Sequence, residues 1–167
     1  MKFLLIVLAV FGISTATLNA ETTTQFSAAD SQMNDAIDAA KATMPLFMKY
    51  AIDKKGEGHY DASLKVAFHL ENSTVTKEYI WVGPFSTDGN GNFKGFLGNQ
   101  PVHLTNLNIG DEVSFTADQI IDWSIWMKDG KSYGGYTTRV ILETMKPEQA
   151  APIQDMMSNP VVPTNWN

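Results

Sequence analysis

The chain has 167 residues, 44% hydrophobic and 18% charged, which suits one folded domain and excludes a disordered, purely solvating polymer. Twelve Lys+Arg against 18 Asp+Glu give a net charge of −6, so nucleic acid, which needs a basic face, is not an expected partner. The absence of cysteine excludes a disulfide framework, thiolate metal sites, thiol catalysis and a lipid-modified N-terminal Cys.

Met1-Lys2 opens onto the uncharged apolar run Phe3–Phe11, followed by the small and polar residues Gly12, Ser14, Thr15, Ala16, Thr17, Asn19 and Ala20. A short positive start, a brief apolar core and a small-residue exit are the parts of a secretory signal peptide. Residues 1–20 are therefore read as a signal peptide, with cleavage after Ala16 or Ala20, and the alternative is an uncleaved anchor. The expected destination is the periplasm or the exterior, with no membrane span after cleavage, because no later segment approaches the roughly 20 apolar residues a span needs. Cleavage would remove Lys2 alone, leaving the mature chain one charge more acidic.

Residues 21–27 form a Thr-rich lead-in without periodicity, and residues 28–145 read as a single domain. Ser27 or Asp30 can cap a helix in which Met33, Ile37, Ala40, Met44, Phe47 and Met48 recur at spacings of three and four. Pro45 predicts a kink or restart, and Lys54-Lys55-Gly56 supplies cations and a glycine stop. From there the period falls to two. Ser63–Glu71 alternates Leu64, Val66 and Phe68 against Lys65, Ala67 and His69, which puts Lys65 on the solvent side. Lys77–Val82 sets Tyr79 and Trp81 against Glu78, Ile80 and Val82. Further strands are expected at Phe93–Leu97, Glu112–Phe115 and Ile120–Met127. Asp129-Gly130 signals a hairpin, and Gly135–Met145 reads as the last and longest strand. The Pro-containing tail 146–167 has room for a helical turn at Gln149–Met157.

One helix followed by about six short strands predicts an α+β fold, with an amphipathic helix packed on a curved, mainly antiparallel sheet. Gly95, Gly134 and Gly135 allow that sheet to curl toward a partly open small barrel.

Motifs for chemistry are sparse. Asp88-Gly89-Asn90-Gly91-Asn92 resembles a calcium loop only at its start, since Phe93 and Asn99 stand where the bend glycine and the closing Glu belong. It reads as a hairpin loop. His59, His69 and His103 have no partner at metal-ligand spacing, so no metal or other cofactor is expected. The unusual polar residues are Glu78, Asp122 and Arg139, the only Arg in the chain. Read mid-strand, Arg139 could take either acid in a bidentate pair. That pair could pin strand register, hold an anion, or serve acid–base work. Among the aromatics, Tyr79, Trp126 and Tyr136 are candidates for a binding surface, and Trp81 and Trp123 for the core.

Several short motifs in order are similar to the bacterial family called domain of unknown function 2314. They are Leu64-Lys65-Val66, Glu78 with Trp81-Val82, Gly95-x-Leu97-x-Asn99-x-Pro101, Gly110-Asp111-x-Val113, Ile121-Asp122-Trp123 and Gly134-Gly135-Tyr136-Thr137-x-Arg139-Val140. The resemblance spans roughly residues 34–142 and implies an α+β domain with no established activity. It carries over no catalytic residue, but implies that Glu78, Asp122 and Arg139 share one design. The family often has His after the acid, where this chain has Tyr79.

Three functions remain open from sequence, the plainest being a structural envelope protein with no discrete site. The favoured one is a non-enzymatic binding module whose negative charge attracts a basic protein or envelope component. The rival is a small envelope hydrolase using Glu78 or Asp122, with Arg139 holding an anionic group.

Overall fold

The computed structural model describes residues 31–71 and 75–166; the expected signal peptide, the lead-in and the capping residues Ser27 and Asp30 lie outside them. The chain runs α1 (Ser31–Ala51), β1 (Ala62–His69), β2 (Lys77–Thr87), β3 (Asn92–Leu97), β4 (Glu112–Thr116), a 3-10 turn (Ala117–Gln119), β5 (Ile120–Trp126), β6 (Ser132–Gly134), α2 (Tyr136–Thr144) and α3 (Pro147–Met156). None of the described helices is long and apolar enough to cross a membrane. The architecture is α+β.

The stripe on α1 buries Met33, Ala40, Phe47 and Ala51, with Met44 and Met48 half-buried beside them. Pro45 does not restart the helix. It lies on the exposed side, where the carbonyl it leaves without a partner can meet water. The helix ends at Ala51, before the expected Lys54-Lys55-Gly56 stop, and Asp53 then organises the loop by accepting the N–H groups of Lys55 and Glu57.

Six antiparallel strands lie in the order β4-β3-β2-β1-β5-β6. β4 and β5 stand four strand steps apart in that order, about 19 Å in a flat sheet. Only the three residues Ala117–Gln119 join them, a reach of at most about 14 Å. The sheet must therefore curl, although it does not close. Its inner face carries Leu64, Val66, Ile80, Val82, Phe93, Val113, Phe115, Trp123 and Ile125, all buried, and Phe47 from α1 stacks on Trp123 at 4.9 Å. Burying each large apolar side chain contributes about 1.5–3 kcal/mol, which makes this face the principal source of stability.

The expected strand at 135–145 does not form. β6 is only three residues long, and a nine-residue helix, α2, follows it. Gly134 and Gly135 both have positive φ, and a Cβ on Gly134 would run into the Trp123 carbonyl, so the chain turns sharply there. The Asp122 carboxylate then accepts the N–H groups of Tyr136 and Thr137, orphan donors at a helix start. That cap lies on another strand, where local propensity cannot register it. It outweighs the strand preference of Thr137, Thr138, Val140 and Ile141, which is worth only tenths of a kcal/mol per residue.

The tail carries a ten-residue helix from Pro147 rather than one turn. Beyond it Trp166 is 7% exposed and packs against Trp123 at 5.8 Å and Tyr50 at 5.0 Å.

Candidate functional site

Glu78 enters the core because β2 alternates it with Ile80 and Val82, and it is 2% exposed. A buried carboxylate needs donors, and three come from one loop: the backbone N–H groups of Val102, His103 and Leu104, at 2.6, 3.0 and 3.0 Å. Nearby, Asn99 accepts the Trp81 N–H at 3.0 Å. These two side chains hold the long connection between β3 and β4 against the sheet.

Asp122 does the same for α2. Its first oxygen accepts the N–H groups of Trp123 at 2.8 Å and Tyr136 at 3.2 Å; its second accepts the Thr137 N–H at 2.8 Å and the Thr137 hydroxyl at 2.6 Å. The register pairs Asp122 with Lys65, which is only 5% exposed. Lys65 donates to the Thr137 hydroxyl at 3.0 Å and lies 5.3 Å from the Trp81 ring centre. The Thr137 hydroxyl has one proton. It goes to the acceptor-only carboxylate, which leaves a lone pair for the ammonium. Burial pulls the Lys65 amine down to about 8, opposed by the Asp122 charge. Burial also pushes the Asp122 carboxyl up, against Lys65 and the Thr137 and Trp123 donors.

Arg139 sits on α2, not mid-strand, and meets no carboxylate among the described residues. Its Nε donates to the Gly134 carbonyl at 3.0 Å and one terminal nitrogen reaches the Ser158 hydroxyl at 3.4 Å. Among the described residues, the one side-chain contact within 4.0 Å between an acid and a basic group is His59–Asp61, on the surface, an ion pair only when the imidazole is protonated.

Strand alternation separates the two acids. Glu78 pairs with Phe68, on the same face as Leu64 and Val66, whereas Asp122 pairs with Lys65 on the opposite face. They cannot act on one substrate atom, and backbone amides occupy the oxygens of both. Asp122 and Arg139 are brought to the same end of α2; Glu78 is not.

Tyr79, Trp126 and Tyr136 are half-buried, and so is Trp81, while Trp123 is fully buried. Tyr136 packs edge-on to Trp123, with its phenol oxygen 3.0 Å from the Thr43 hydroxyl. The more open large rings are Tyr50, Tyr60 and Phe96. Asp88 is a turn residue, accepting the N–H groups of Asn90 and Asn92, as the hairpin reading expects. No group of three His, Asp or Glu is placed to hold a metal among the described residues.

The burial of Lys65 is what periodicity does not reveal: alternation sets it opposite Leu64 and Val66, but both faces of β1 are covered. The small Ala67 two residues on was the only local sign of that.

A comparison with solved structures finds no match. Among curated proteins, the chain is 30% identical over 118 residues to the uncharacterised protein YegJ of Escherichia coli, covering 71% of this chain and 72% of that protein. It is also 33% identical over 72 residues to a putative ankyrin repeat protein of Neisseria meningitidis serogroup B, covering 43% of this chain but only 28% of that one. Residues 30–157 match the family described as an uncharacterised protein conserved in bacteria (DUF2314). That span takes in Glu78, Asp122, Lys65 and the paired glycines, and the chain belongs to the DUF2314 family.

Proposed function

We propose that this chain is an exported binding module, not a bond-breaking enzyme, and that it docks on a basic protein or another cationic component of the envelope. The observation that carries this reading is the engagement of the two core carboxylates, Glu78 and Asp122, by backbone donors on opposite faces of the sheet. Every other described Asp and Glu is at least partly accessible, so the negative charge is free to act at long range. The leader-like residues 1–20 support delivery to the envelope.

Two measurements test it. Fractionation of cells producing the full chain should place the protein outside the cytoplasm, and its retention there would defeat the export part. Capture from envelope extract should return one reproducible basic protein. Binding should fall as salt rises from about 0.15 M to about 1 M, where the screening length shrinks from about 8 to about 3 Å. Nothing retained, or retention indifferent to salt, would defeat the docking part.

A further inference from the structure

A further group of unengaged polar side chains lines an open cleft of about 510 Å³ at the far end of the curled sheet. Register places Ser86 on β2, Lys94 on β3 and Ser114 on β4 in one cross-strand row, with Lys94 directly between the two hydroxyls. Opposite partners in such a row stand about 5 Å apart, so the Lys94 ammonium can share one small group with either neighbouring hydroxyl, the two serines being about 10 Å from each other. Lys55 and Glu57 line the same cleft from the loop after α1.

That loop is held in place. Asp53 accepts the N–H groups of Lys55 and Glu57 at 2.7 and 2.9 Å, and Glu57 bridges to Ser86. Gly56 has a φ of 85°, and its carbonyl accepts the Thr87 N–H at 2.8 Å. A Cβ at Gly56 would collide with the Thr87 carbonyl, so only glycine lets the loop lie this close. None of the side chains of Lys55, Glu57, Ser86, Lys94 or Ser114 makes a hydrogen bond or close ion pair among the described residues. The cleft thus presents the ammonium groups of Lys55 and Lys94, the unengaged hydroxyls of Ser86 and Ser114, and two carboxylates: Glu57, which is unengaged, and Asp88, which accepts the Asn90 and Asn92 N–H groups.

We propose that this cleft binds a small hydroxylated ligand carrying an anionic oxygen group, a sugar phosphate or a sugar acid. Lys94 meets the anionic oxygens with a charge-assisted donor, the hydroxyl of Ser86 or Ser114 beside it adds a neutral one, and Lys55 lines the same cleft as a second cation. Glu57 accepts ligand hydroxyls, which an inorganic anion lacks. Cleft size falls within the range usual for small-molecule sites. This inference goes beyond the docking reading and uses different residues, so either can fail without the other.

The test is an amide NMR titration of the full chain with glucose 6-phosphate, glucuronate and uncharged glucose, each at the same concentration and salt. We expect saturable shifts at residues 55–57, 86–87, 93–95 and 113–116 with at least one of the two anionic sugars, and none with glucose. A response to glucose 6-phosphate alone assigns the group as phosphate; a response to glucuronate alone assigns it as carboxylate. Lys94→Ala, an exposed position, should weaken binding at least about tenfold, the loss of roughly one charge-assisted hydrogen bond, while Lys77→Ala at the other end of β2 should not. No shift with either anionic sugar, equal shifts with glucose, or equal weakening by the two variants would overturn the proposal.

Discussion

Lys65 and Asp122 face each other across the β1–β5 pairing, and the hydroxyl of Thr137 carries the contact from one to the other. A cation and an anion are thereby buried beneath the first turn of α2. The arrangement fixes where that helix starts, and removing either end leaves the other charge with too few partners.

Asp122→Ala should destabilise the protein by about 3–5 kcal/mol, because it strands Lys65 and uncaps α2 together. Asp122→Asn retains the acceptor oxygen for part of the cap and should lose less. Urea unfolding of both variants measures the difference. Equal stability for Asp122→Ala and the parent chain would show that the network contributes nothing.

Lys65 also makes a pH prediction. Its folded value of about 8 lies below the ordinary 10.5, so between these limits the folded chain binds fewer protons than the unfolded one. The penalty for burying the charge is full below pH 8, and stability rises as pH climbs toward 10.5, by at most about 3 kcal/mol. Urea midpoints taken from pH 7.5 to 10.5 should rise relative to those of Lys65→Met, which lacks the titrating amine. Parallel curves for the two proteins would contradict the burial assigned to Lys65.

Glu78→Ala leaves the N–H groups of Val102, His103 and Leu104 without their acceptor. Hydrogen exchange at these three amides should accelerate more than exchange in β1 or β5, since the loop can open toward water while the sheet stays paired. The accompanying loss of stability should be about 1–3 kcal/mol. Uniform acceleration across the sheet would instead make Glu78 a core residue proper.

Trp166→Ala removes a ring that packs on Phe47, Tyr50 and Trp123. A loss of about 3–5 kcal/mol is expected, visible as a lowered thermal midpoint. A negligible loss would mean that the chain end is dispensable to the core.

Arg139→Lys gives up the bond from Nε to the Gly134 carbonyl, which an ammonium at the end of a longer reach cannot reproduce at the same angle. The expected loss is about 0.5–1.5 kcal/mol in unfolding by urea. A much larger effect would point to a role for the guanidinium beyond fastening β6 to α2.

Periodicity alone determined much of this protein. The spacing of Met33, Ala40 and Phe47 located α1, and the alternation through Leu64–Val66 and Glu78–Val82 located the central strands and their inward faces. These signals are local because a helix or strand shows its buried side within a few residues. Tertiary structure decided the rest. Gly135–Met145 looks like a strand until Asp122, fourteen residues before Tyr136, caps it as a helix. Lys65 looks solvent-facing until the β5 register and α2 close over it. Glu78 and Asp122 look like one polar cluster until alternation sends them to opposite faces of the sheet. Each of these outcomes depends on groups in different elements satisfying buried polar atoms, and no single helix or strand of the chain contains both members of such a contact.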